Sequence, residues 1–254
     1  MRPILIVTPS GRTGTTLLMS LLAQHNQIVA ENSYPYELRL LQACTPNQYV
    51  KPADLLGYPF QDDRDQKLAC LTECLETSTP LQYYEWLAER QAKRATYAAE
   101  KLVGISVEAI KSAYPDARIV ISMRDPRDTL LSARRFDALR GVHGFIERPG
   151  DTDLDVVRRT GLHLNALMHL EKSENCLVVK YEGLVHKIKD ELLALTSWLE
   201  IDEFKDPAAP EHLHHRTSTS NESSIGRWRE EMPSDLVQLC DNEWSNALEN
   251  FGYT

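Results

Sequence analysis

The sequence predicts an α/β fold in three layers, with a central parallel sheet covered by helices and a helical insertion. Two observations carry this reading. Short apolar, β-branched runs end abruptly at glycine-containing or charged turns, and these runs alternate along the chain with stretches of helical periodicity. The first run is Ile4-Leu5-Ile6-Val7, which suits a buried parallel strand because it is too short and too uniformly apolar for a helix. Thr8-Pro9-Ser10-Gly11 ends it, the loop runs on to Gly14, and Thr15 to Gln24 follows with Leu17, Leu18, Leu21 and Leu22 at helical spacing.

The same unit recurs at Arg118-Ile119-Val120-Ile121-Ser122-Met123, a strand that meets Arg124-Asp125-Pro126-Arg127-Asp128. There Asp125 is placed to cap a helix and Pro126 fits its first turn. A third strand is expected from Cys176 to Tyr181 and a weaker fourth from Tyr97 to Glu100. Helical patterns fill Gln66 to Glu76, Leu81 to Arg94, Leu154 to Leu170, Ile188 to Leu199 and Leu236 to Leu248. Residues 33–95 carry no strand pattern and read as a helical insertion placed to roof a site. No repeat, linker or low-complexity tract divides the chain, so the expectation is one domain over residues 1–254.

Composition sets the class. With 42% hydrophobic and 26% charged residues the balance is that of a globular protein rather than a disordered or fibrous one. Acidic residues number 37 against 28 basic, a net charge of -9, which does not suit a protein that coats nucleic acid or anionic lipid. Any anion site is therefore local. Five cysteines without a C-x-x-C pair indicate neither a disulfide framework nor a zinc knuckle, which points to a reducing compartment. No run approaches the length of a membrane span and the N-terminus shows no leader pattern, so a cytoplasmic location is expected.

The loop Pro9-Ser10-Gly11-Arg12-Thr13-Gly14-Thr15-Thr16 resembles a P-loop, in which glycines let backbone N–H groups converge on phosphate at a helix N-terminus. It departs from G-x-x-x-x-G-K-[ST], with Pro9 at the first Gly and Thr15 at the Lys that reaches the β- and γ-phosphates. A metal-dependent nucleotide triphosphatase is disfavoured on that ground, and Arg12 brings positive charge from within the loop instead. A glycine turn that only joins strand to helix is the bland alternative.

Gly11-Arg12-Thr13-Gly14-Thr15-Thr16-Leu17-Leu18 resembles the 5′-phosphosulfate loop of sulfotransferases, written P-R-S-G-T-T-L-L in the bacterial and tyrosylprotein branches. The resemblance implies a P-loop-like fold that uses 3′-phosphoadenosine 5′-phosphosulfate (PAPS), leaving 3′-phosphoadenosine 5′-phosphate (PAP), with no metal demanded. It implies that Arg12, Thr13, Gly14, Thr15 and Thr16 hold the sulfate-phosphate end. Met123 to Ser132 is similar to the family's 3′-phosphate motif R-D-P-R-D-x-x-x-S, which implies Arg124 and Ser132 as 3′-phosphate contacts. A guanidinium suits bidentate phosphate contact and a helix hydroxyl adds a donor. Asp125 and Asp128 read instead as helix-start residues.

Shorter resemblances add further expectations. Tyr97-Ala98-Ala99-Glu100-Lys101 is similar to the segment whose lysine contacts the transferring group, which implies Lys101. Lys180-Tyr181-Glu182-Gly183-Leu184-Val185 resembles Y-E-x-L-V and implies Tyr181 beside the nucleotide. Ser218 to Arg229 resembles the late loop ending in G-R-W-R and implies Ser218 and Arg227 as contacts. The general base is implied to be a Glu after the first helix, either Glu31 or Glu37, with Glu37 in Tyr34-Pro35-Tyr36-Glu37-Leu38-Arg39 favoured. The expected reaction moves a sulfuryl group in line to a hydroxyl on a small molecule, carbohydrate or peptide side chain. The alternatives are a P-loop-type nucleotide or small-molecule kinase and a nucleotide-binding module without catalysis. His212, His214 and His215 read as structural or surface residues, and His25 as a helix-end residue whose partial positive charge complements the dipole.

Overall fold

The computed structural model describes residues 1–32, 36, 38–43, 64–77, 79–102, 111–141, 146–208 and 217–254. Five strands form one sheet in the order β2-β3-β1-β4-β5: β1 Arg2–Val7, β2 Ile28–Val29, β3 Tyr97–Lys101, β4 Arg118–Met123 and β5 Cys176–Lys180. Strand β3 pairs in parallel with β1, from Arg2 with Tyr97 to Ile6 with Lys101, and with β2, Ile28 with Tyr97 and Val29 with Ala98. The helices in chain order are α1 Thr15–Leu22, α2 Leu40–Ala43, α3 Arg64–Thr77, α4 Pro80–Arg90, α5 Pro126–Arg140, α6 Asp153–Glu171, α7 Tyr181–His186, α8 Ile188–Leu199, α9 Trp228–Glu231 and α10 Ser234–Asn250. This is the expected α/β architecture. Among the described residues of 33–95 the regular elements are helices, and no helix of the described residues is long and apolar enough to cross a membrane.

The chain forms two compact units. The first comprises Met1–Val7, Thr16–Val120 and Leu193–Pro210, the second Thr8–Thr15, Ile121–Leu192 and Glu211–Thr254. In the first unit Ile4, Leu5 and Ile6 of β1 and Leu18, Leu21 and Leu22 of α1 are fully buried. Each such side chain contributes about 2 kcal/mol through removal from water. Polar side chains in this unit close loose backbone ends. Lys93 Nζ donates to the carbonyls of Ala23 at 2.6 Å and Ile28 at 2.8 Å, Gln91 donates to Ala30 O at 3.0 Å, and the Tyr97 hydroxyl donates to Leu199 O at 2.9 Å.

His25 differs from expectation. Its Nδ1 accepts the Gln27 N–H at 3.0 Å and its Nε2 lies 2.8 Å from the Asp202 carbonyl, a pairing that fits the neutral ring with the proton on Nε2. Burial pulls its pKa below 6.5, so His25 works as an uncharged bracket and not as a dipole complement.

In the second unit α5 starts as the sequence reading requires, with Asp125 at the cap accepting from Arg127 N at 2.9 Å and Pro126 in the first turn. Gly141 ends it in the left-handed region at φ 64°. Helix α6 opens with a reciprocal capping box between Thr152 and Asp155. It packs against α10, where Trp244 is buried and its Nε1 donates to Val157 O at 2.8 Å. Gly161 makes that approach possible, since a Cβ there would meet the Trp244 ring at 3.3 Å.

Candidate active site

The two anion motifs meet within the second unit. Its loop segment, Thr8–Thr15, leaves the end of β1 and enters α1. Arg12 and Gly14 both adopt positive φ, 71° and 88°. For arginine this is an uncommon conformation, and alternation of this kind turns successive N–H groups toward one side as an anion nest. Three contacts brace the loop. Thr8 Oγ1 shares a 2.6 Å hydrogen bond with Thr13 Oγ1, Ser122 Oγ donates to Thr13 O at 3.4 Å, and His163 Nδ1 lies 2.8 Å from Pro9 O. Tyr181, the first residue of α7, lays its ring over Gly14, where any Cβ would fall 2.3 Å from the Tyr181 Cδ2. Gly14 is therefore required twice over, by its φ and by the ring.

A run of hydrogen bonds joins this loop to the start of α5 and to the late loop. Arg124 Nη1 donates to Arg12 O at 3.2 Å and Arg124 Nη2 to Ser224 O. Arg12 Nε donates to Ser132 Oγ at 3.4 Å, Ser132 Oγ pairs with Thr217 Oγ1 at 2.9 Å, and Arg227 Nη1 donates to Thr217 O at 2.8 Å. The Arg12 guanidinium lies over the Phe136 ring at 4.6 Å and that of Arg124 over Tyr181 at 4.8 Å. The Tyr181 hydroxyl pairs with Ser224 Oγ at 3.0 Å. Thus Arg12, Thr13, Gly14, Thr15, Arg124, Ser132, Tyr181 and Arg227 share one neighbourhood. Ser218 stands next to Thr217, with its hydroxyl donating to Ser220 O at 2.8 Å.

The network is short of hydrogen-bond partners at defined atoms. Arg124 and Arg227 are 4% and 8% exposed, yet Arg124 Nε and Arg227 Nε and Nη2 have no hydrogen-bond partner among the described residues. The nearest carboxylate oxygen to Arg227 Nε, on Glu231, is 3.9 Å away, beyond hydrogen-bond reach. Burial, together with the neighbouring Arg135 and Arg124 charges, pulls the Arg227 pKa down despite Glu231. Buried guanidinium donors left unpaired are costly unless an anion completes them.

Asp128 organises the late loop. Its Oδ2 accepts Gly226 N at 2.6 Å and its Oδ1 accepts Trp228 N at 3.0 Å, so the carboxylate grips the backbone on both sides of Arg227. Burial pushes the Asp128 carboxyl up, against the lowering effect of those two N–H groups and of Arg124. Asp128 does more than the helix-start role read from the sequence.

The remaining candidates belong to the first unit. Thr16 continues α1, Lys101 ends β3, and Glu31 follows β2 with 2% exposure. Glu37 lies outside the described residues, as do the histidines at 212, 214 and 215. Among the described residues no group of three or more His, Cys, Asp or Glu is arranged to hold a metal. One buried carboxylate escaped the sequence reading. Glu100 is 1% exposed on β3, and its Oε2 accepts from the Tyr84 hydroxyl at 2.5 Å and from Leu41 N at 2.9 Å. Burial, then Glu100, and at greater remove Glu31, hold Tyr84 well above a normal phenol, so its proton stays on.

A model of the sulfotransferase family matches residues 3–206. The chain belongs to the sulfotransferase family. Among solved structures this sulfotransferase is similar to the sulfotransferase domain from the curacin biosynthetic pathway, at 18% identity and a TM-score of 0.60, over 100% of this chain and 99% of that one. It is similar as well to a sulfotransferase from Alicyclobacillus acidocaldarius, at 17% identity, TM-score 0.59, and 100% and 95% coverage. The sulfotransferase domain of the Synechococcus PCC 7002 olefin synthase aligns at 18% identity, TM-score 0.57, and 95% and 94% coverage. No curated protein matches significantly.

Proposed function

We propose that this sulfotransferase takes PAPS as donor and sulfates an acceptor hydroxyl on a small molecule, carbohydrate or peptide side chain. The observation that carries the reading is the hydrogen-bonded run from Arg12 through Ser132 and Thr217 to Arg227, with Arg124 tied into it. Its buried, unpaired donors on Arg124 and Arg227 fit a second phosphate. In this reading Arg124, Ser132 and Arg227 hold the 3′-phosphate. The Arg12 to Thr16 loop holds the 5′ end, and Tyr181 and Ser218 flank the nucleotide. PAPS, when bound, supplies the sulfuryl group. Among solved sulfotransferase-fold structures, retinol dehydratase in complex with androsterone and inactive cofactor PAP aligns at 15% identity with a TM-score of 0.50. That pairing of PAP with a hydroxysteroid supports the same donor and a hydroxyl acceptor here.

A glutamate carboxylate takes the acceptor proton in this scheme, and Arg12 and Lys101 bear charge developing on the departing phosphate. Glu31 and Glu37 are the candidates. Glu31 follows β2 and Lys101 ends β3, positions at the carboxyl ends of parallel strands where α/β proteins bind ligands. The chain acts as a single sulfotransferase domain over residues 1–254, with 33–95 contributing the acceptor site, and needs no metal. Incubation with PAPS and a panel of phenols, sterols, sugars and tyrosine peptides, followed by mass spectrometry, tests the function. Expected is a product 80 Da heavier, formed equally well in EDTA (sulfuryl replaces a proton). Hydrolysis of ATP that requires magnesium, with no sulfated product, overturns it.

A further inference from the structure

A closed ring of four residues lies directly behind Arg124. Asp125 N donates to Glu182 Oε1 at 3.0 Å, and Glu182 Oε2 accepts the Tyr253 hydroxyl at 3.0 Å. The Tyr253 carbonyl accepts from Arg127 Nη2. Arg127 then returns to Asp125, donating from Nε at 3.0 Å and from Nη2 at 2.9 Å. The members come from the start of α5, the first turn of α7 and the segment after α10, all within the second unit. Two further contacts stiffen the ring. Arg127 Nη1 pairs with Asp241 Oδ1 at 2.8 Å, and its guanidinium stacks on Trp228 at 3.7 Å.

These groups do not serve as ligands to the nucleotide. Both Asp125 oxygens are used by Arg127 and both Glu182 oxygens by Asp125 N and Tyr253. The hollow beside the ring is lined by Asp125, Asp128 and Glu182 against the single guanidinium of Arg229, a charge balance that disfavours phosphate. The ring instead fixes the peptide that follows Arg124, at the point where β4 gives way to α5. Arg124 has a long flexible stem, and its reach depends on where that peptide sits. A carboxylate at 182 can accept from two partners on separate oxygens, whereas an amide there offers one acceptor oxygen only.

We propose that Glu182 and Tyr253 are positioning residues for recognition of the 3′-phosphate, acting through Asp125 and Arg127 on Arg124. This rests on the reading of Arg124 as the 3′-phosphate contact. The test titrates PAP and AMP by calorimetry into the wild type, Tyr253→Phe and Glu182→Gln, with thermal melts alongside. Tyr253→Phe keeps the ring packing and the carbonyl that Arg127 uses, and removes one hydroxyl. Wild type is expected to prefer PAP strongly. PAP affinity is expected to fall about 3- to 10-fold in Tyr253→Phe and about 10-fold or more in Glu182→Gln, with AMP affinity changed less than about twofold. Equal loss for PAP and AMP, or an unaltered preference in both variants, overturns the positioning role while leaving Arg124 in place. A wild type that binds PAP and AMP alike removes the reading of Arg124 and the proposal with it.

Discussion

The second unit buries charge and the first mostly buries hydrocarbon. Arg124, Asp125, Arg127, Asp128 and Arg227 are all under 9% exposed in the second unit, each bonded to backbone or to another charged side chain. The first unit keeps Glu31 and Glu100 buried, and otherwise uses Lys93, Gln91, His25 and Tyr97 as brackets on backbone carbonyls. The contrast has a physical consequence. A buried charged network is fixed in geometry, because every member depends on every other, whereas an apolar core accepts substitutions of similar volume. Substitutions are therefore expected to be tolerated less readily in the second unit's charged network than in the first unit's apolar core.

Substitutions separate the two regimes. Arg124→Ala, which removes the bonds to Arg12 O and Ser224 O and the unpaired Nε, is expected to cost about 100-fold in PAP affinity and far less for AMP. Calorimetry with the two ligands reads this. Gly14→Ala places a methyl against the Tyr181 ring at a left-handed φ and is expected to lose about 2 kcal/mol of stability, together with nucleotide binding. Thermal melts with and without PAP check it. In the first unit, Tyr84→Phe strips one hydrogen bond from a buried carboxylate, for a loss of about 1.5 kcal/mol by urea denaturation. PAP affinity should stay unchanged there, and a parallel loss would break the contrast between the units.

Much of this was legible beforehand and some was not, for identifiable reasons. The strand, loop and helix units around 4–24 and 118–132 stand out because an apolar run, a turn and an amphipathic helix fall in consecutive residues. Strand β2 escapes because two residues carry no periodicity, and α7 because its six residues follow β5 without a break. Arg12, Arg124, Ser132 and Arg227 sit in recognisable segments. Their partners Thr217 and Ser224, and the Glu182 and Tyr253 of the ring, are joined across as many as 126 residues by contacts that leave no local pattern. Glu100 was visible beside Lys101, but its burial and its grip on Tyr84 and Leu41 are tertiary facts.

The smallest effect expected is a pH dependence. His25 in the folded state has a pKa below 6.5, so between the folded value and 6.5 the unfolded chain holds a proton that the folded one releases. Stability from this group is complete above pH 6.5 and is lost as pH falls through that window. Urea denaturation from pH 5 to pH 7.5 should show this slope in the wild type and a shallower one in His25→Gln.

A crystal structure with PAP bound tests the two-arginine 3′-phosphate site itself. The 3′-phosphate oxygens are expected within hydrogen-bond distance of Arg124 Nε, Arg227 and Ser132, and the 5′-phosphate in the loop around Arg12 to Thr16. A nucleotide bound with its 3′-phosphate in solvent, or with the two arginines still unpaired at those atoms, contradicts it.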